Sequence, residues 1–284
     1  IATVMVMMIL ALFAAVAVSL VTTGSSIGLQ EEQGVEAFYI AEGGMHYAAK
    51  KNFPNHDVSS AVNLGSGSFT TSVPKLKTAI GTGDTQITVL TSTDGFLQAA
   101  PPADTNYWIM LCDTAVPAPD LTASSTCEKI SFTTKTPSAT EILFTVGTRG
   151  RDSSTAASHL QNAVVLMYTW DTAITTNLSS AANAGDTTIN VNSTNGFASP
   201  PGFIRIIEAN ENNREDVLYT GTTPTSFTGC IRGAFNGGVG INHGNNRTVY
   251  QSEISALTTS TGVIPNILSN NVTRRVQGAL MPLK

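Results

Sequence analysis

Residues 1–21 carry no charged side chain, and only Thr3 and Ser19 interrupt an otherwise apolar run. As a helix that run rises about 31 Å, close to the thickness of a bilayer's hydrocarbon core. Apolar residues surround the whole cylinder, which does not suit an amphipathic helix lying on a globular domain. The segment therefore belongs in lipid or among copies of itself. The pattern then changes: Ile27, Val35, Phe38, Ala41, Met45 and Ala48 fall roughly on one helical face. Acidic residues come early (Glu31, Glu32, Glu36), and Lys50 and Lys51 come late, matching the dipole of a helix that ends before Pro54. One helix over residues 1–53 is predicted, softened at Gly24 and Gly28 by the low helix propensity of glycine.

Beyond residue 78 the period shortens to two, and the pattern occurs twice. The first copy runs Gly83-Asp84-Thr85-Gln86-Ile87-Thr88-Val89 and then Ser92-Thr93-Asp94-Gly95-Phe96. The second runs Gly185-Asp186-Thr187-Thr188-Ile189-Asn190-Val191 and then Ser193-Thr194-Asn195-Gly196-Phe197. Cys127-Glu128-Lys129-Ile130-Ser131-Phe132-Thr133 matches Arg214-Glu215-Asp216-Val217-Leu218-Tyr219-Thr220; Arg149-Gly150 matches Arg232-Gly233, and His159 matches His243. Landmarks kept in the same order indicate an internal duplication. Within each copy, Gly-Asp-Thr opens a turn, Ile-x-Val alternation makes a half-buried strand, and Asp-Gly or Asn-Gly closes tightly. Further strands are expected at 107–111, 129–133, 141–146, 164–168, 203–207, 216–219, 226–228 and 248–251.

Short strands without intervening helices predict two small β-sandwich or barrel-like modules, at 78–170 and 171–251. The first departs from the second by an insertion within 97–126, a natural place for lateral contacts or a binding loop. Residues 54–77, with Pro54, Gly65, Gly67 and Pro74, read as a connector with a strand near 69–73. The tail, 252–284, shows no clear periodicity. The fold class is α+β: a long N-terminal helix followed by a mainly β region.

Composition narrows the chemistry. Of 284 residues only 12% are charged, and the net charge of −5 comes with no extended basic cluster. This suits an exported β-rich protein and argues against nucleic acid as a partner. Cys112 and Cys127 are candidates for a disulfide outside the cytoplasm, closing a loop worth about 3 kcal/mol. Cys230 is then left over as a small buried hydrophobe. No CxxC or paired-His spacing supports a metal site, and no cofactor motif is present. Gly65-Ser66-Gly67 lacks the strand–elbow–helix context of a nucleophilic serine. The run Gly237-Gly238-Val239-Gly240 lies between predicted strands and is no phosphate cradle. Glu128 and Glu215 invite comparison with a paired-carboxylate hydrolase, but as repeat equivalents each is expected to bond Arg149 or Arg232 within its own module. No catalytic constellation emerges, and the expectation is a protein that is not an enzyme.

The helical layout resembles that of type IV pilins and pseudopilins. The stretch Glu36-Ala37-Phe38-Tyr39-Ile40-Ala41-Glu42-Gly43-Gly44 is similar to the A-F-Y-x-A-E-x-G segment of PilX-type pilin-like proteins. The resemblance implies an apolar half that waits in the inner membrane and then packs in the core of a helical homo-oligomeric filament. It assigns assembly contacts to Ile1, Met5, Leu10, Phe13, Val21, Phe38 and Glu42. Met5 stands where mature pilins carry an early glutamate, a departure shared by some tip or initiating minor pilins. Glu31, Glu32, Glu36 and Glu42 then form either a solvated helix face or a substitute charge partner for a neighbouring subunit. The repeat resembles a β-module of phage structural proteins reading D-T-T-I-x-V … G-F … E-x-x-x-Y-T … R-G … H, which implies a structural or adhesive role. The expectation is an extracellular, pilus-like filament subunit at the cell surface, its ligand undefined. The alternatives are a minor or tip pilin, or a membrane-anchored adhesin.

Overall fold

A computed structural model describes residues 2–49, 58–90, 107–113, 127–138, 140–152, 154–208, 213–234, 239–265 and 271–280, with backbone alone at 2–12, 58–59, 255–257 and 278–280. The chain divides into two compact units. One comprises Ile1–Gly44, Ser59–Thr70 and Ser260–Val276; the other holds the remainder, including Thr71–Thr259.

In the first unit a single helix, α1 (Ala2–Ala49), runs unbroken through Gly24 and Gly28. A hairpin follows, β1 (Val58–Leu64) and β2 (Gly67–Ser72), turning at Gly65, whose φ of +60° suits a residue without Cβ. β2 pairs with the distal part of β14 (Thr248–Ile264), which also pairs with β15 (Val272–Leu280). These strands occupy most of the described part of the expected connector, and in the expected tail β14 runs on to Ile264 and β15 covers Val272–Leu280. Neither was legible because Pro54 and Pro74 flank the hairpin like linker punctuation, while the adjacent Arg274 and Arg275 break the alternation of β15.

The buried face of the helix also differs from the expected one. Gly34, Ala37, Ile40, Ala41 and Gly44 are buried, whereas Ile27, Val35 and Phe38 are exposed. Close approach selects that stripe. A Cβ on Gly262 would lie 2.2 Å from the Ala37 carbonyl oxygen, and one on Gly67 would lie 2.3 Å from the Val263 carbonyl oxygen. Only small residues on both sides let strand backbone lie directly on helix backbone. Ile40, Phe69 and Ile264 fill the remaining core.

The second unit contains two closed barrels. In the first, β5 (Tyr107–Cys112), β6 (Cys127–Pro137), β7 (Glu141–Thr148), β4 (Gln86–Leu90), β3 (Lys75–Leu76) and β8 (Val164–Asn177) follow one another, and β8 pairs back to β5. In the second, β14 pairs with β10 (Gly202–Ile207) and β10 with β11 (Glu215–Tyr219). β12 (Gly221–Thr223), β13 (Ser226–Thr228) and β9 (Thr188–Asn190) continue it, and bridges at Leu178–Val191 and Leu218–Ile231 help close it. Pairing of β8 back onto β5 protects the sheet edges of the first barrel. Ile87, Ile109 and Phe144 lie in the core of the first barrel; Ile189, Ile204 and Phe227 hold the matching places in the second.

The duplication extends to single hydrogen bonds. Asp84 accepts from Gly81 N at 2.8 Å, and Asp186 from Asn183 N at 2.7 Å. Gly150 and Gly233 have φ of +64° and +59°, and Asn162 and Asn246 have +70° and +59°. The barrels join where the equivalent strands β8 and β14 run antiparallel. There Trp170 faces Ser252, Thr169 faces Glu253, and Tyr168 faces Ile254. Exchanging the copies maps this register onto itself, so a local pseudo-twofold axis passes through Thr169 and Glu253. A third core, including Trp108, Met110, Tyr168, Phe203 and Leu218, is shared by both barrels.

Candidate functional site

The helix presents a continuous apolar surface over residues 13–29. Phe13 and Val21 are 67% and 68% exposed, and Val16, Val18, Leu20, Ile27 and Leu29 join them. Its hydroxyls turn inward: Thr22 donates to the Val18 carbonyl at 2.9 Å, Thr23 to Ser19 at 2.7 Å, and Ser26 to Thr23 at 2.9 Å. These three hydroxyls are thus satisfied within the helix and add little cost to burial in an apolar medium. The helix is long and apolar enough to cross a membrane. Of the other residues assigned to assembly, Ile1 lies outside the described residues, as do the side chains of Met5 and Leu10. Phe38 is 42% exposed and packs edge-on against Tyr39, with ring centroids 6.0 Å apart. Glu42 is half-buried, and Glu36 accepts a hydrogen bond from Ser66, a residue of the hairpin turn rather than of a nucleophile elbow.

Two matched carboxylate centres occupy the barrels. Glu128 Oε1 accepts from Arg149 Nε at 2.6 Å and Gly150 N at 3.0 Å. Its Oε2 is approached by Arg149 Nη2 at 2.6 Å, Ala157 N at 3.1 Å and His159 Nε2 at 3.0 Å. Glu215 repeats the arrangement with Arg232, Gly233 N, Ile241 N and His243, the imidazole again at 3.0 Å. Each arginine also donates to two carbonyls, Arg149 to Gly81 and Ala157, and Arg232 to Asn183 and Ile241. The alternation of β6 and β11 turns the glutamate inward. The positive-φ glycine after each arginine lets the chain double back so that its own N–H reaches the carboxylate.

Burial alone would raise the Glu128 carboxyl; hydrogen bonds from Arg149 and His159 outweigh it and hold the group at about 2. Glu215 is lowered by the same balance, with burial opposed by His243 and Arg232. Five donors leave neither carboxylate a free lone pair for substrate or water. The structure brings Glu128 to Arg149 and His159, not to Glu215. His46 is exposed on the helix, and His56 lies outside the described residues.

Sequence reasoning missed a buried charge cluster between the barrels. Lys129 pairs with Asp216, and Arg205 with Asp152. Tyr168 Oη donates to Asp216 Oδ1 at 2.6 Å. The Arg205 guanidinium lies 3.9 Å from the Trp170 ring centroid and 4.6 Å from that of Trp108. A signal existed: Lys129 and Asp216 fill the same position of the repeat with opposite charges. Burial raises Asp152 above its ordinary range against the pull of Lys129 and Arg205.

Cys112 and Cys127, facing each other in the β5–β6 register, form a disulfide. Cys230 is a buried free thiol, which burial pushes up to about 11. Among the described residues, no group of three or more His, Cys, Asp or Glu side chains is placed to hold a metal. An open cleft of about 330 Å³ lies over the pseudo-twofold axis, lined by residues including Tyr107, Thr169, Trp170, Asp171 and Glu253. Comparison with known protein families, characterised proteins and solved structures finds no match to this chain.

Proposed function

We propose that this protein is a structural subunit of a type IV pilus-like extracellular filament. In this reading the apolar half of α1 packs in the filament core, and the twin barrels form the outer surface. The observation that carries it is the unpartnered apolar surface of the helix over residues 13–29, continued in sequence by the uncharged start of the chain. Each large apolar side chain moved from water into a helical core contributes about 1.5–3 kcal/mol, and no surface of such extent stays in water unassisted. The A-F-Y-x-A-E-x-G resemblance at residues 37–44 supports the same reading, with the inner membrane holding the subunit before assembly. The saturated glutamate centres and the disulfide suit a scaffold rather than a catalyst.

The test is to shear cell-surface material and image it. Stoichiometric amounts of this chain in fibres identify a principal subunit, and trace amounts a tip protein. Val18→Asp is expected to abolish incorporation while leaving the β region folded, because a charge in a helix core or bilayer centre is uncompensated. Retention wholly in the membrane fraction, with no fibre containing the chain, overturns the filament reading in favour of a membrane-anchored surface module.

A further inference from the structure

The site between the barrels holds the components of an amide-forming reaction. Lys129 Nζ and the carboxylate of Asp216 are in direct contact, and the residues are only 1% and 2% exposed. The pair sits in an aromatic enclosure: the Lys129 ammonium lies 5.1 Å from the Tyr168 ring centroid, and the Trp108 and Tyr168 rings stack at 5.6 Å. Tyr168 Oη donates to the carboxylate oxygen Oδ1 at 2.6 Å, leaving Oδ2 towards Lys129. A second carboxyl, Asp152, feels the charges of both Lys129 and Asp216 and is anchored by Arg205. Nucleophile, electrophile and a hydroxyl donor to the carboxylate therefore stand together in a buried site.

We infer that Lys129 and Asp216 condense to an intramolecular amide that joins the two barrels covalently. The pair begins as ammonium and carboxylate. One proton passes from Nζ to Oδ2, giving a neutral amine and a neutral acid. Nζ then attacks Cγ, and the developing charge on Oδ1 is met by the Tyr168 hydroxyl. The attacking nitrogen then gives a second proton to the Oδ2–H group, which departs as water. The C–Oδ2 bond breaks, the Nζ–Cγ bond forms, and one water leaves. No oxidant, reductant or cofactor is consumed.

Physical arguments favour the forward direction. Two apposed groups in a fixed site react at effective concentrations of about 10⁵–10⁸ M, far above any intermolecular competitor. Condensation also replaces two buried charges, each costly to keep from water, by one neutral amide. What remains, Arg205 with Asp152, is a balanced pair. The bond would link positions 87 apart in sequence that occupy the same place in the two repeats. This inference goes beyond the filament reading and does not rest on it.

The experiment uses the full chain, purified in detergent, incubated in the folded state, then reduced and denatured for intact-mass measurement. The expected result is a mass one water below that of the disulfide-reduced sequence, with a branched peptide linking Lys129 to Asp216 after proteolysis. Asp216→Asn is expected to form the same link with loss of ammonia instead of water. Lys129→Arg retains the cation and the full mass. Tyr168→Phe, verified as folded by circular dichroism, is expected to slow bond formation about tenfold or more, the scale of one oxyanion donor. Full mass in the folded wild-type chain after prolonged incubation overturns the inference and leaves Lys129–Asp216 an ion pair. A water loss mapped to any other residue overturns it equally.

Discussion

The two barrels are copies that agree inside and disagree where they touch. Glu128, Arg149, Gly150 and His159 reappear as Glu215, Arg232, Gly233 and His243 with the same donors on the same oxygens. At the shared face, Lys129 stands opposite Asp216, while Tyr168 and Trp170 in β8 correspond to Ser252 and Ile254 in β14. Geometry explains the division. A carboxylate saturated by five donors tolerates no change in either copy, because any loss leaves a buried charge unpaired. On a twofold axis the opposite holds: identical residues would place ammonium against ammonium or carboxylate against carboxylate, so an ion pair requires the copies to diverge. A second divergence lies in the β-ladders, where the register that places Cys112 opposite Cys127 in the first barrel carries on to Ile207 and Arg214 in the second.

The comparison breaks most severely if the glutamate centres are unequal. Glu128→Ala and Glu215→Ala are each expected to cost about 3–5 kcal/mol, since an arginine and a histidine lose their buried partner. Denaturant unfolding of the full chain in detergent measures both, and a difference well beyond the spread of such values would show that the copies do not bear equivalent loads.

Acid probes the same centres with a defined sign. The folded-state carboxyl of Glu128 is lowered from 4.5 to about 2, so its stabilisation is fully present above pH 4.5 and is lost as pH falls towards 2. The loss amounts to about 3 kcal/mol for this group, and Glu215 adds to it in the same direction. Stability measured between pH 5 and 2 is expected to fall steeply in wild type and less so in Glu128→Gln.

Reduction separates the copies. Breaking Cys112–Cys127, which spans 15 positions, is expected to cost about 2–3 kcal/mol and to loosen β5 and β6 selectively. Hydrogen exchange before and after reduction checks this: protection lost equally in β10 and β11 would contradict a local effect. The smallest effect is conformational. Gly150→Ala and Gly233→Ala each force a Cβ into a positive-φ site, 2.8 Å from Ala156 N and 2.3 Å from the Val239 carbonyl oxygen. The expected cost is about 1–3 kcal/mol, greater at Gly233 because its neighbour is closer.

Much of this was legible along one dimension. The helix, most barrel strands (β3 and β12 excepted) and the twin Glu–Arg–His landmarks follow from periodicity and from self-similarity, which need no knowledge of what lies across the fold. The charge cluster was visible only as an oddity, Lys129 against Asp216 at one repeat position, because nothing local says that the two strands meet. The face of α1 was misjudged for a related reason. Hydrophobicity pointed to Val35 and Phe38, but the approach of Gly262 is a steric fact between distant segments, and it selects Gly34, Ala37, Ala41 and Gly44.

The amino-acid order by itself determined that a long apolar helix leads a duplicated β region, because hydrophobic period and glycine-bearing turns act over a few residues at a time. Tertiary structure alone decided that the barrels close, that the presumed connector and tail become strands, and which ions meet in the dry space between the copies. Those outcomes depend on the chain's return across scores of residues, where pairing is set by backbone hydrogen-bond closure and by the room available between surfaces.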